Sequence, residues 1–144
     1  NITLPGTLSQ NTGVIMSQVH PAGYFQWAVS IDGASNESDV SIDVDSNRNS
    51  YVACQTNSPV PIFYNADGMV ANNNLPPLSG YGVVMGQVNS TGLWNWVVAV
   101  DGAGDQFFPS VSVDGANNIY LSLTSNASVP IFYNAIPTAR DQIL

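Results

Sequence analysis

Hydrophobic and polar residues alternate with a period of two through most of this chain. In Phe25-Gln26-Trp27-Ala28-Val29-Ser30-Ile31 the large apolar side chains fall on one face, and Trp94, Trp96, Val98 and Val100 repeat the pattern. Val40, Ile42 and Val44 alternate likewise and are matched by Val111 and Val113. Tyr51 to Gln55 and Tyr120 to Thr124 are the next such runs, and Val14 to Val19 with Val83 to Val88 make a further pair. Such alternation predicts half-buried strands. No segment sustains a helical period, so the expected class is all-β. Turn sequences separate the runs: His20-Pro21-Ala22-Gly23 against Asn89-Ser90-Thr91-Gly92, Asp32-Gly33 against Asp101-Gly102, and Asn65-Ala66-Asp67-Gly68. Each supplies Gly or an Asx residue where φ is expected to turn positive.

The runs come in pairs because the chain is a tandem duplication. Gly13 to Ala66 returns without a gap, 69 residues later, as Gly82 to Ala135, and 24 of the 54 aligned positions are identical, including the unbroken run Val60 to Ala66. Repeated units of this kind bury their apolar faces against one another in stacks, rings or propellers. The expected organisation is an N-terminal arm over residues 1–12, a first β-repeat over 13–69, a loop over 70–81 and a second β-repeat with its tail over 82–144. The loop stretch ANNNLPPLSGY, from Ala71 to Tyr81, carries the asparagines and prolines of a connection.

Each copy ends in a recurring signature, Val44-Asp45-Ser46-Asn47-Arg48-Asn49-Ser50-Tyr51-Val52 and Val113-Asp114-Gly115-Ala116-Asn117-Asn118-Ile119-Tyr120-Leu121. With the order of motifs before it, this resembles the SBBP-type beta-propeller repeat family, whose blades carry V-D-x-x-G-N-x-Y-V. Arg48 and Asn117 stand where that family has Gly, and Asn tolerates left-handed geometry. The resemblance implies scaffold and binding roles and transfers no catalytic residue. It also implies a phase. If one blade takes strands near residues 40–45, 50–56, 82–89 and 93–101, a half blade is left at about 13–31 and another at about 110–124. The expected fold is therefore tandem four-stranded propeller-blade-like repeats, either packed as a two-sheet β-sandwich or completed between subunits. Two repeats cannot close a propeller, which takes at least about four blades.

Composition narrows the function classes. The chain has 144 residues, 44% hydrophobic, enough for a core. Ten acids face two arginines and no lysine, giving a net charge of −8. Such a chain cannot neutralise phosphates, which sets aside nucleic acid and anionic lipid as partners. No apolar run reaches the length of about 18 residues that a membrane helix needs, so no membrane insertion is expected. Asn, Ser, Thr and Gly do the solvating, a composition read as extracellular or as belonging to a cell or particle surface. With Asn in first place and no basic-then-apolar leader, the chain reads as a processed or truncated product.

Candidate chemistry is sparse. His20 sits in a turn and is replaced by Asn89 in the second copy; Cys54 is the lone cysteine and is replaced by Leu123, so it reads as core. The recurrent acids Asp32 and Asp101, Asp45 and Asp114 could pair for glycoside hydrolysis, but each sits beside a turn, where Asp caps backbone N–H groups. Asp43 to Asn49 resembles the opening of a calcium loop without the closing acid, so a polar turn is the better reading. No catalytic residue, metal or cofactor is expected. Sequons at Asn1, Asn36, Asn89 and Asn126 are candidate glycosylation sites in expected loops or at the chain end. Trp27 and Trp96 occupy equivalent core-facing positions.

These readings point to a non-enzymatic structural subunit of an extracellular or surface assembly, such as a filament, that associates with itself by strand donation or sheet-edge pairing. The alternative is a carbohydrate-binding propeller module or a fragment of a larger propeller protein. Ile2, Leu4 and Leu8 of the arm have no evident partner within the chain and are the expected assembly residues, with Ile2 and Leu4 spaced to enter alternate pockets of a neighbour.

Overall fold

A computed structural model describes residues 2–4, 8–9 and 11–135 and the backbone of 142–143. The chain is all-β, and its described residues contain no helix. Eleven strands are described: β1 Val14–Val19, β2 Phe25–Asp32, β3 Glu37–Val44, β4 Ser50–Thr56, β5 Ile62–Tyr64, β6 Gly82–Val88, β7 Trp94–Asp101, β8 Gln106–Val113, β9 Ile119–Ser125, β10 Ile131–Tyr133 and β11 Gln142–Ile143. They form three sheets in the orders β1-β2-β5, β11-β10-β7-β6-β4-β3 and β8-β9, all antiparallel and none closed into a barrel.

The middle sheet contains the four strands that the sequence phasing assigns to one blade, β3-β4-β6-β7. Alternation along β4 puts Val52 and Cys54 on one face and Tyr51 and Ala53 on the other. The first pair packs with Val14, Met16, Trp27 and Val29 of β1 and β2. The second packs with Val111, Ile119 and Leu121 of β8 and β9. The half blades therefore do not meet each other; they cover opposite faces of the middle sheet, giving a sandwich of three layers.

Short strands fasten the layers, and alternation had not marked them. After β4 the chain leaves the middle sheet and β5 pairs with β2 of the sheet in front, Ser30 opposite Tyr64 and Asp32 opposite Ile62. After β9, β10 does the same to β7, with Ala99 opposite Tyr133 and Asp101 opposite Ile131. The invariant run Val60 to Ala66 is thus a clasp between successive layers. Its Phe63 is fully buried and meets Trp94 edge-on at 5.2 Å. The loop beyond it also enters the core through Ala71 and Leu78.

The copies match down to their irregularities. Bulges fall at Gln18/Val19 and Gln87/Val88, and at Ser38/Ser41 and Phe107/Ser110. The second pair is built on left-handed residues, Asp39 at φ 50° and Phe108 at φ 52°. Arg48 and Asn117 are left-handed too, at 66° and 63°, as their place in the signature anticipates.

Burial does not repeat so faithfully. Val40, Ile42 and Val44, expected on a half-buried face, are each more than half exposed, whereas Val111 in the second copy is 6% exposed. The reason is the sheet beneath. β8 rests on a six-stranded sheet, whereas the sheet in front of β3 holds only β1, β2 and β5.

Candidate assembly surface

The signature turns are Asx turns with one geometry. Asp45 Oδ1 accepts the backbone N–H of Asn47 and of Asn49, each at 2.8 Å, and Oδ2 accepts the Asn49 side-chain amide and the Tyr51 hydroxyl. Asp114 repeats this with Ala116, Asn118 and Tyr120. Burial pushes the Asp45 carboxyl up, but the Asn49 bonds, the Tyr51 hydroxyl and the Asn47 amide outweigh it and hold it below its ordinary range. Asp114 is lowered by the equivalent Asn118 bonds first. Asp43 is turned to a different use. Its carboxylate accepts the N–H of Val113 at 2.7 Å, and Ser41 Oγ accepts that of Val111 at 3.0 Å, so β3 side chains cap the outer edge of β8.

Asp32 and Asp101 are likewise occupied by the backbone. Asp32 accepts the Ser9 N–H at 2.6 Å and its hydroxyl at 2.8 Å; Asp101 accepts both from Ser79, at 2.7 and 3.1 Å. Leu8 and Leu78 reach the equivalent glycines, Gly13 and Gly82. The duplication thus extends into the arm with a one-residue slip, Leu8-Ser9 standing for Leu78-Ser79. This corrects the expectation that the arm lacks partners within its own chain. Ile2 and Leu4 border a shallow cleft with Ile15, Phe25 and Ala28 on the outer face of β1 and β2.

The sequons divide. Asn36 and Asn126 are exposed, although Asn36 Oδ1 accepts the Thr12 N–H and Asn126 Oδ1 the Asp105 N–H. Asn89 lies in the turn where the sequence places it but is half-buried rather than exposed, and its Oδ1 accepts from the Thr91 N–H and hydroxyl and the Leu93 N–H. Asn1 lies outside the described residues. His20 stacks on Tyr24 at 4.5 Å, and its Nδ1 accepts the Ala22 N–H within the turn. Cys54 is fully buried, and that burial pushes its thiol well up. Among the described residues no three His, Cys, Asp or Glu side chains gather as a metal site would require.

One buried acid escaped sequence reasoning. Glu37, 2% exposed, accepts the Thr56 hydroxyl at 2.8 Å and the Ser58 hydroxyl at 2.6 Å on Oε1, while Oε2 has no hydrogen-bond partner among the described residues. Burial raises its pKa against those two hydrogen bonds, and the charge of Asp32 adds to the rise. The folded chain therefore holds this proton more tightly than the unfolded chain does. The resulting stability is complete below the ordinary glutamate pKa and is lost as pH rises through the raised value. The second copy carries Gln106 here, bonded to Ser125, the counterpart of Thr56. Glu37→Gln should match the parent in acid and exceed its stability by about 1–2 kcal/mol at pH 8, as read from urea unfolding at both pH values. A parent stability that rises between pH 5 and 8 relative to the variant would contradict this.

What distinguishes the two ends of the sandwich is their unfinished edges and faces. Tyr51 is 2% exposed, its hydroxyl donating to Asp45 and accepting from the Gln87 amide at 2.7 Å. Tyr120 keeps the Asp114 bond but is 58% exposed, so the equivalent tyrosines do not share an environment as the repeat predicts. Trp27 is buried by β6 and β7 and donates to the Ser90 carbonyl, whereas Trp96 is only half-buried. Trp94 is buried while its counterpart Phe25 is 57% exposed. In each pair the open member belongs to, or faces, a sheet with fewer strands. Compared with protein-family models, curated proteins and solved structures, the chain matches none.

Proposed function

We propose that this chain is a non-enzymatic structural subunit of an extracellular or surface assembly, joined head to tail by sheet-edge pairing into a ring or a filament. One observation carries the reading: the strand edges that are paired between the copies inside the chain, β4 with β6, have as their counterparts β9 and β1, whose outer edges are open among the described residues. Open edges recruit strands. A repeated interface between unlike surfaces propagates until it closes or continues as a fibre. Each copy adds two repeats, so a ring of about four to eight blades would take two to four copies. The propeller-repeat resemblance supports the same reading. Strand donation by the arm fits less well, because Leu8 and Ser9 are engaged at home.

Light scattering and negative-stain images of the purified chain test the proposal. The expected result is rings or filaments whose mass is a multiple of 15.2 kDa. A single 15.2 kDa species up to millimolar concentration would remove it. The carbohydrate-binding alternative draws on an aromatic cluster of Tyr81, Phe107 and the exposed Phe108. Its counterparts in the first copy are Thr12, Ser38 and Asp39, so the repeat as such does not encode it.

A further inference from the structure

We infer that the outer edge of β9 receives β1 of a second copy of this chain, in the register that β4 and β6 show within one copy, completing a four-stranded sheet β8-β9-β1-β2 across the boundary. The inference rests on the assembly reading and names its interface. β9 and β1 are the 69-residue counterparts of β4 and β6. In the middle sheet Ser50 lies opposite Val88, Tyr51 opposite Gln87, Ala53 opposite Met85 and Gln55 opposite Val83. The same pairing between copies sets Ile119 opposite Val19, Tyr120 opposite Gln18, Ser122 opposite Met16 and Thr124 opposite Val14. Both Tyr and Gln recur, so the Gln87 to Tyr51 hydrogen bond has a ready counterpart from Gln18 to Tyr120.

Three exposed surfaces are covered by this one placement. Ile15, Val19 and Phe25, each about half exposed or more, are the counterparts of Val84, Val88 and Trp94, which cover Trp27 and Val29 within the chain. In the second copy they would cover Trp96 and Val98 of the first, the two half-buried counterparts of Trp27 and Val29. Ile42 and Val44 would come to rest over the Tyr120 ring, as Val111 and Val113 rest over Tyr51. Apolar area, edge polarity and register thus agree on the same partner, a second copy of the same chain. Ile2 and Leu4 share the cleft at Ile15 and Phe25, so the arm competes with docking.

Three single-cysteine additions test the register. Directly opposed residues of an antiparallel pair bring their Cα atoms to about 4.5–5.5 Å, inside the separation a disulfide spans. Full-length Tyr120→Cys and Gln18→Cys chains, mixed in equal amounts and oxidised, should form a disulfide-linked dimer. Thr124→Cys mixed with Gln18→Cys should yield at least tenfold less, because four residues along a strand displace it by about 13 Å. Cys54, fully buried, stays out of the exchange. In a second measurement, Phe25→Asp, at a position exposed within one copy, should weaken association at least tenfold without moving the urea midpoint. Removal of residues 1–4 should tighten association. Equal cross-linking of both pairs, with assembly retained, overturns the register and leaves the assembly reading standing. Loss of affinity on removing the arm overturns it in favour of strand donation. A chain that stays monomeric throughout removes both.

Discussion

Phe63→Ala should cost about 3–5 kcal/mol and lower Tm on the order of 10 °C. Phe63 is fully buried, and it does two things at once. Its backbone extends the front sheet through β5, opposite Ile31, while its ring meets Trp94 of the middle sheet edge-on, at an interplanar angle of 79°. Truncation leaves a cavity between two layers that neither sheet can collapse to fill, and forfeits the aromatic contact. The matched change Phe132→Ala, at the half-buried counterpart on β10, should cost only about 1–2 kcal/mol. Urea unfolding of both variants measures the difference. Equal losses would mean that the clasp works through its backbone pairing alone and that layer contact adds nothing.

Gly86→Ala should destabilise by about 1–3 kcal/mol, although alanine suits a strand better than glycine does. A Cβ at this point of β6 would lie 2.6 Å from Trp94 Cζ3, 2.7 Å from Cε3 and 3.1 Å from the Trp96 carbonyl oxygen. The indole is held in place, since its Nε1 donates to the Tyr64 carbonyl at 3.1 Å and its ring packs edge-on with Phe63. The first copy has Ser17 and the smaller Phe25 at these two positions, so Gly86→Ser with Trp94→Phe should recover part of the loss that Gly86→Ser alone produces. Additive losses in the double variant would show that the glycine is not there for the indole.

Glycine under tryptophan, and serine under phenylalanine, show how the two copies have come to differ. Wherever a position faces another layer within the chain, its side chain is fitted to that layer. At outward-facing counterparts such as Ile15, Val19 and Phe25 the fit is looser and the apolar residue is retained. Val40, Ile42 and Val44 keep the pattern of a core face while standing exposed. Retention of apolar character at such positions is what the proposed assembly requires.

The divergence also bounds what each copy can be asked to do. Asp45 and Asp114, Asp32 and Asp101 look like repeated carboxylate pairs in sequence. In the fold they accept hydrogen bonds from backbone N–H groups and from Ser, Asn and Tyr side chains, although Asp101 Oδ1 is buried with no hydrogen-bond partner among the described residues. Asp45 and Asp114 fix their own turns, whereas Asp32 and Asp101 tie the distant segments at Ser9 and Ser79 to the strand ends.

The strands themselves were legible because alternation and burial are two expressions of the same pleat. β1 over Val14–Val19 matches the sequence reading, and the phasing of β3, β4, β6 and β7 into one sheet follows from the offset of the two copies. The signature Asp and the left-handed residue after it were legible too, because turn chemistry is local. What only the tertiary structure decided is everything that depends on which layer lies beneath. β5 and β10 are three residues each, too short for a period to register, and their pairing with an earlier sheet is a contact between distant parts of the chain. The Leu8-Ser9 engagement hides behind a one-residue slip in the alignment. Glu37 reads as an ordinary surface acid until Thr56 and Ser58 close over it. Identical residues such as Tyr51 and Tyr120 receive different burial because a repeat specifies side-chain identity and local geometry, while solvent exclusion is a property of the neighbours that the stack provides.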